Sequence, residues 1–269
     1  MTAPKTAEKY NSQASAYEAY IFHTPVGRLE TELYLTALGD ATGLTVLDLG
    51  GGTGLRARQA VERGAARVDV VDISSGMMRI GKDHAERSGL GDRIRWFEAD
   101  VSQPLGASQE DLKQWEGRYD IVLANWVFDH ASSREMLEGM WQNVAAFLRP
   151  GGRFLTVYLY NARIGNEATG DQYGILLKNF EQIPGGLKYW CVLGGNDPPM
   201  EFEATSMEVM YSGSTELFDK FELEGVRALK LEDTKTVQSD PQFWEPVVQR
   251  PFLKYVTAQK KAAPGGSGH

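Results

Sequence analysis

The chain has 269 residues, 42% of them hydrophobic and 24% charged, a composition that suits a water-soluble globular protein with a sizeable core and excludes a disordered or fibrous chain. Lys and Arg total 28 against 36 Asp and Glu, and the resulting charge of −8 argues against a nucleic-acid partner held by phosphate neutralisation. The single cysteine, Cys191, excludes an internal disulfide and points to a reducing, cytoplasmic setting; no apolar run reaches the ~18 residues needed to cross a bilayer, and the opening MTAPKTAEKYNS does not read as a signal peptide.

In chain order, residues 1–40 read as helical. Leu29, Leu33, Leu35 and Leu38 recur at close to helical spacing between Pro25 and Gly39, and Gly39 suits a C-cap. Short apolar runs then alternate with amphipathic segments. Leu44–Leu49, Arg67–Asp72, Ile94–Ala99, Tyr119–Ala124 and Arg153–Tyr160 are predicted strands. The clearest helix between them spans Ser133–Leu148, with Met136, Leu137, Met140, Trp141, Val144, Phe147 and Leu148 on one face and Ser132 and Glu135 spaced as a capping box. This alternation predicts βαβ units and an α/β, doubly wound, mostly parallel sheet covered on both faces. Residues 161–210 break the rhythm, being rich in Gly, Pro, Asn and aromatics, and no regular element is assigned there. From Ser214 a helix near Glu216–Leu223, a strand near Val226–Leu231, a helix after Asp240 and a strand Phe252–Ala258 are expected. The Gly/Ser-rich tail 260–269 has no core-forming pattern.

The most informative segment is Val46-Leu47-Asp48-Leu49-Gly50-Gly51-Gly52-Thr53-Gly54-Leu55, a buried strand running through four glycines into a helix. Glycine permits the tight turn and close approach of a ligand, and a helix N-terminus offers unpaired N–H groups. Gly52, Gly54 and Ala57 formally satisfy a dinucleotide fingerprint, with Asp72 about 20 residues on for a ribose hydroxyl. A tight structural turn with no ligand is the other alternative.

VLDLGGGTG, with an acid in the strand before the glycines, resembles the class I S-adenosylmethionine-dependent methyltransferases. Val70-Val71-Asp72-Ile73-Ser74, Phe97-Glu98-Ala99-Asp100-Val101, Asp120-Ile121-Val122-Leu123-Ala124-Asn125 and Leu148-Arg149-Pro150-Gly151-Gly152-Arg153-Phe154 follow in the order of that family's motifs. The resemblance covers Leu44–Tyr160 well. It implies a Rossmann-like, seven-stranded methyltransferase fold in one domain over residues 1–259: a helical lid (1–40), a cofactor core (44–160), a substrate cap inserted after the fifth strand (161–213) and a C-terminal part of the sheet (214–259). It implies S-adenosyl-L-methionine as cofactor. Asp48 would hold the amino group through the loop, backbone N–H groups at Gly50 and Gly52 would receive the carboxylate, and Asp72 would accept the ribose hydroxyls. Asp100 would lie near the adenine amino group, with Ile73, Met77 and Val101 around the ring. Family members place an N-terminal segment over the cofactor, which makes Tyr10 the expected contact there, with Tyr17, Tyr20 and His23 nearby.

Methyl transfer is an in-line displacement at an activated sulfonium carbon, so positioning and water exclusion supply much of the catalysis. The loop after the fourth strand, Asn125-Trp126-Val127-Phe128-Asp129-His130, should face the methyl group. His130 is the expected base, with Asp129 beside it, and a turn histidine with a structural bond is the alternative. Asn125 and Trp126 are assigned to the cofactor; Trp126 and Phe128 wall the site or fill core. Tyr158, Tyr160, Asn161, Tyr173, Trp190 and Glu203 are the expected acceptor contacts, with Phe128, and the aromatic cap suggests a flat or apolar small molecule. Asn196-Asp197-Pro198-Pro199 is similar to the Asp-Pro-Pro motif of enzymes that methylate exocyclic amines, but it falls over 70 residues after the fourth strand and is taken as a turn. His23, His84, His130 and His269 lack paired ligand spacing, so no metal is expected. The N-terminal tyrosines and Asp240-Pro241-Gln242-Phe243-Trp244 are similar to toxoflavin-synthase-like small-molecule methyltransferases, which hints at secondary metabolism. A cofactor-binding relative without methyl transfer, serving as a rearrangement catalyst or partner protein, and a nicotinamide-dependent oxidoreductase remain the rival readings.

Overall fold

The computed structural model describes residues 17–162 and 169–262. A seven-stranded sheet forms the centre, in the order β3-β2-β1-β4-β5-β10-β9. Its strands are β1 (Thr45–Leu49), β2 (Arg67–Asp72), β3 (Ile94–Glu98), β4 (Tyr119–Leu123), β5 (Leu148–Leu159), β9 (Leu223–Ala228) and β10 (Leu253–Lys260). β1 pairs in parallel with both β2 and β4, while β10 is antiparallel to β5 and β9. β1 to β4 are short, and Val46, Leu47, Val68, Val70, Ile121 and Val122 are fully buried, as expected of strands covered on both faces. The doubly wound reading of the sequence therefore holds.

Helix α1 (Pro25–Leu38) starts with Pro at its first position and with the Thr24 side chain accepting the Gly27 N–H at 3.1 Å; it stops at Gly39, whose N–H returns to the Leu35 carbonyl. α2 (Leu55–Glu62) follows the glycine loop and α3 (Ser75–Arg87) follows β2. α4 (Arg134–Phe147) is capped one residue later than the sequence suggests. Ser133, not Ser132, accepts the Met136 N–H at 3.2 Å, so the Ser132–Glu135 capping box does not form. β9 begins at Leu223, three residues ahead of the strand expected near Val226–Leu231, because its inward residue Leu223 pairs with Lys260 on β10. α5 (Pro241–Gln249) precedes β10. Among the described residues no helix is long and apolar enough to cross a membrane.

Part of the stretch left unassigned in the sequence is regular. β6 (Ile175–Ile183), β7 (Gly186–Leu193) and β8 (Met200–Met207) form a separate antiparallel sheet. The turn Pro184-Gly185 joins the first two strands. Asn196-Asp197-Pro198-Pro199 lies in the connection between β7 and β8, which agrees with its reading as a turn.

Side chains pack in two clusters, one on each face of the main sheet. One joins α1 and α2 to the inward face of the smaller sheet, through residues such as Leu29, Leu33, Ala57, Val157, Tyr189 and Phe202. The other lies under α4 and centres on Trp141, which stacks on Phe128 at 5.0 Å and meets Phe218 edge-on at 4.8 Å. Trp141 is fully buried, so Trp141→Ala removes a ring that its neighbours cannot replace. A loss of about 3–5 kcal/mol in the free energy of unfolding by denaturant titration is expected; a loss below ~1 kcal/mol would show that this cluster does not carry the core.

Candidate active site

The parallel strands β1, β2 and β4 end on one edge of the sheet, and the residues just beyond them surround a single cavity. β1 delivers Asp48, 2% exposed, and then the glycine loop. Gly50 has φ +69°, and a Cβ there would sit 2.6 Å from a Val127 methyl; Gly54 has φ +65°, and a Cβ there would sit 2.4 Å from the Trp96 ring. Both positions exclude other residues on backbone and spatial grounds together. The Gly50 N–H donates to the Val71 carbonyl at 2.8 Å, tying the loop to the end of β2.

β2 delivers Asp72. One oxygen accepts the Gly52 N–H and the other the Ser74 N–H, each at 2.8 Å. Ser74 in turn caps α3 by accepting from the Met77 N–H at 3.1 Å. The Asp72 carboxylate thus fixes the loop and the start of α3 before any ligand arrives. Asp100, beyond β3, accepts from the Ser102 N–H at 2.9 Å and the Ser102 hydroxyl at 2.7 Å.

The turn after β4 carries Asn125 to His130. Trp126 adopts φ +59°, unusual for a bulky residue, and its indole N–H donates to Glu30 at 2.9 Å. Glu30, on α1 and 1% exposed, also receives the Tyr20 hydroxyl at 2.8 Å and lies 3.9 Å from the Arg56 guanidinium. The Asp129 carboxylate is 4% exposed and accepts from the Ser206 hydroxyl and, at 3.1 Å, from the Leu159 N–H.

Ten of the eleven residues assigned to the cofactor line this cavity: Asp48, Gly50, Gly52, Asp72, Ile73, Met77, Asp100, Val101, Asn125 and Trp126. Tyr10 lies outside the described residues. Asp129 and His130 line it as well. The orientation expected of Asp129 differs, since its oxygens serve Ser206 and the Leu159 amide, across strands the sequence did not place beside it.

The expected acceptor contacts fare differently. Tyr17 and Tyr20 line the cavity. Phe128 and Tyr158 are buried in the opposite cluster, beneath α4. On β5, Val157 and Leu159 face the cavity, so Tyr158 must face away, and Tyr160 instead lies under the Lys254 ammonium at 3.6 Å. His23 and Asn161 are exposed. Tyr173 packs on Phe243 and Trp244 and donates to the Phe243 carbonyl at 3.0 Å. Trp190 and Glu203 are cross-strand partners on the outer face of the smaller sheet. Alternation puts their neighbours Tyr189, Cys191, Phe202 and Ala204 inward, and these with Ile175, Leu177, Leu193, Phe252 and Tyr255 make the apolar wall. Glu30 and Arg56 also line the cavity and were not singled out from the sequence. Glu30 carried a signal, an acid four residues after Val26 and four before Tyr34 on the apolar stripe of α1.

Among the described residues, two buried polar atoms facing this space have no protein partner, Asp48 Oδ2 and Asn125 Nδ2. The Asn125 oxygen receives the Tyr255 hydroxyl at 3.3 Å, which leaves its amide protons to a ligand. A free acceptor and a free donor suit an amino-acid nucleoside, whereas the Gly50 and Gly52 N–H groups expected to receive its carboxylate donate instead to the Val71 carbonyl and to Asp72.

Residues 46–152 match the family model of a methyltransferase domain. Over 136 residues the chain is 33% identical to the ribosomal protein L11 methyltransferase of Deinococcus radiodurans, covering 50% of this chain and 46% of that one. The chain spans about half the length of the curated relatives it matches. Among solved structures, an S-adenosylmethionine-dependent methyltransferase from Mesorhizobium loti aligns with a TM-score of 0.56 at 15% identity, over 86% of this chain and 100% of that one. The [4+2]-cyclase SpnF aligns with a TM-score of 0.59 at 13% identity over 98% of both chains. The fold is that of S-adenosylmethionine-dependent methyltransferases, and residues 46–152 carry the match to a methyltransferase domain. Such a domain takes S-adenosylmethionine as its cofactor, and here Asp48, Asp72 and Asn125 are the groups that would hold it.

Burial pushes the carboxyls of both Asp48 and Asp129 up to about 7. For Asp48 the nearby Arg56 charge partly opposes this; for Asp129 the Ser206 hydrogen bond does. Both acids hold protons more tightly folded than unfolded, so their contribution to stability is full below pH ~4 and is lost as pH rises from there through about 7. Without ligand, unfolding should be harder by on the order of 2–4 kcal/mol at pH 5 than at pH 8, with Asp48→Asn removing part of that slope. Denaturant titrations at the two pH values measure it, and equal stabilities would contradict the burial assigned to both carboxyls.

Proposed function

We propose that this chain transfers the methyl group of S-adenosylmethionine to a small, flat or apolar metabolite, as in secondary metabolism. The observation that carries the reading is the make-up of the cavity. Its polar end holds Asp48, Asp72 and Asp100 at the strand ends, and its apolar end is walled by the smaller sheet and the N-terminal helical segment. An acceptor at the apolar end faces the turn after β4, where Asp129 and His130 supply the acid–base groups. Aromatic and aliphatic walls exclude water and orient a planar acceptor, which is most of what an activated methyl donor requires. The relative from Deinococcus radiodurans is named for a protein substrate; here the apolar lining of the cavity supports a small acceptor, and the net charge of −8 disfavours a nucleic acid. The likeness to a cyclase is one of fold alone.

Calorimetry with S-adenosylhomocysteine and with NAD separates these classes. Micromolar binding of the first and none of the second is expected; the reverse would end the methyltransferase reading. Asp72→Ala should raise the S-adenosylhomocysteine dissociation constant at least tenfold, and an unchanged constant would remove Asp72 from the ribose.

A screen of small aromatic and apolar acceptors with methyl-labelled cofactor identifies the substrate. With an acceptor in hand, His130→Ala at unchanged cofactor affinity tests the base role, and a loss of turnover of about a hundredfold would assign the acceptor's proton to His130. Full activity would leave the acid–base work to Asp129.

A further inference from the structure

Tyr189 on β7, Ser206 on β8 and Asp129 in the turn after β4 come from three separate elements and are all but buried, at 3%, 1% and 4% exposure. The Tyr189 and Ser206 oxygens lie 3.1 Å apart, and the Ser206 hydroxyl donates to Asp129 Oδ1. The second Asp129 oxygen accepts the Leu159 N–H at 3.1 Å, which holds the carboxylate in place. Tyr189 and Asp129 both line the cavity at its acceptor end.

Proton counting sets the direction of this chain. A serine hydroxyl has one proton, and here it points to the carboxylate. Tyr189 must then be the donor in its contact with Ser206, and its oxygen keeps lone pairs that can accept from a group in the cavity. When Asp129 is protonated every bond in the chain can reverse, and Tyr189 then accepts from Ser206 and donates outward. Two hydroxyls between a cavity and a buried carboxylate are the elements of a proton wire.

We propose that Tyr189, Ser206 and Asp129 relay the acceptor's proton away from the cavity, so that the nucleophile methylated is a hydroxyl or amine rather than a carbon. The proposal rests on the methyl-transfer reading of the same site. As the new bond forms between the nucleophile and the methyl carbon, the carbon–sulfur bond breaks and its electron pair stays on sulfur. The nucleophile's proton passes to the Tyr189 oxygen, the Tyr189 proton to Ser206 and the Ser206 proton to Asp129. The sulfonium charge and the carboxylate charge disappear together, and a neutral carboxylic acid, a thioether and the methylated product remain. Tyr189 is the catalytic residue that touches the acceptor, and Ser206 is a positioning residue. Burial lifts the Asp129 carboxyl to about 7, where it takes and releases a proton readily near neutral pH. The other ionisable groups set against it are Tyr158 on β5 and His130 in its own turn.

Infrared difference titration of the full chain saturated with S-adenosylhomocysteine reads the relay without an acceptor. A protonated-carboxyl band with a midpoint near pH 7, absent in Asp129→Asn, is expected. Its midpoint should rise by half a pH unit or more in both Ser206→Ala and Tyr189→Phe, and Ser206→Thr should restore it. A band unmoved by Tyr189→Phe overturns the relay. For the outer end, the probes are 2-naphthol and its methyl ether, titrated into the same complex at pH 8.5. The phenol should bind at least tenfold more tightly than the ether, and Tyr189→Phe should erase that preference. No binding of the phenol to the unmodified protein, equal affinities, or a preference that survives Tyr189→Phe overturns the proposal. Affinity for S-adenosylhomocysteine on the same preparations separates the two levels: its loss in the unmodified protein sinks the methyltransferase reading, whereas intact affinity with an unmoved midpoint sinks the relay alone.

Discussion

Parallel pairing of β1 with β2 and β4 is the constraint on which the site depends, because it brings the carboxyl ends of these strands to one edge and an acid at or beyond each end to one cavity. Asp48, Asp72 and Asp129 arrive in this way, and Glu30 joins them from α1. Arg56 is the one Lys or Arg among the described lining residues. Several carboxylates in a partly dehydrated space repel one another and raise one another's proton affinity, as burial already does for Asp48 and Asp129. Such a cavity is complementary to a cation. S-adenosylmethionine carries a sulfonium and an ammonium, so repulsion among these acids would favour the charged donor over the neutral thioether product.

The acceptor end depends on a second set of contacts that join distant parts of the chain. The Thr205 hydroxyl donates to the Ala131 carbonyl at 2.9 Å beside the bond from Ser206 to Asp129, so β8 is fastened to the turn after β4. On the other side Glu30 gathers Tyr20 and Trp126, fastening the N-terminal helical segment to the start of that turn. The left-handed backbone of Trp126 is the strained point between the two fastenings, and its indole bond to Glu30 helps hold it. Inserted sheet and helical segment therefore form one wall, and a change in either alters the geometry at Asp129.

The cofactor end was legible in the sequence because it rests on local signals. A strand, a glycine-rich turn and a helix in immediate succession fix where Asp48, Gly50 and Gly52 must lie, and the acids beyond β2 and β3 follow the same rule. The acceptor end rests on parity, which a glycine- and aromatic-rich segment hides. Tyr158, Trp190 and Glu203 were one residue out of phase with Val157, Tyr189 and Ala204, and a single step along a strand reverses the face. Ser132 and Ser133 differ by the same single step at the start of α4, where two serines in a row offer two equivalent caps. Ser206 had no local signal, since its role is created by a partner 77 residues away.

The division between the two ends also explains what the known relatives can and cannot say. The matched domain, residues 46–152, contains the glycine loop, Asp48, Asp72, Asp100, Asp129 and His130, the cavity residues proposed to serve donor or proton. The residues that shape the acceptor space, Tyr17, Tyr20 and Glu30 before it and Tyr189, Cys191 and Phe202 after it, lie outside that match. A relative that shares the domain thus constrains the donor chemistry and leaves the acceptor to segments it does not share. Asp129 stands on the boundary: it belongs to the matched domain, but its hydrogen-bond partner Ser206 belongs to the inserted sheet. The same aspartate can therefore acquire its proton affinity, and its reach toward an acceptor, from whatever sheet is inserted over it.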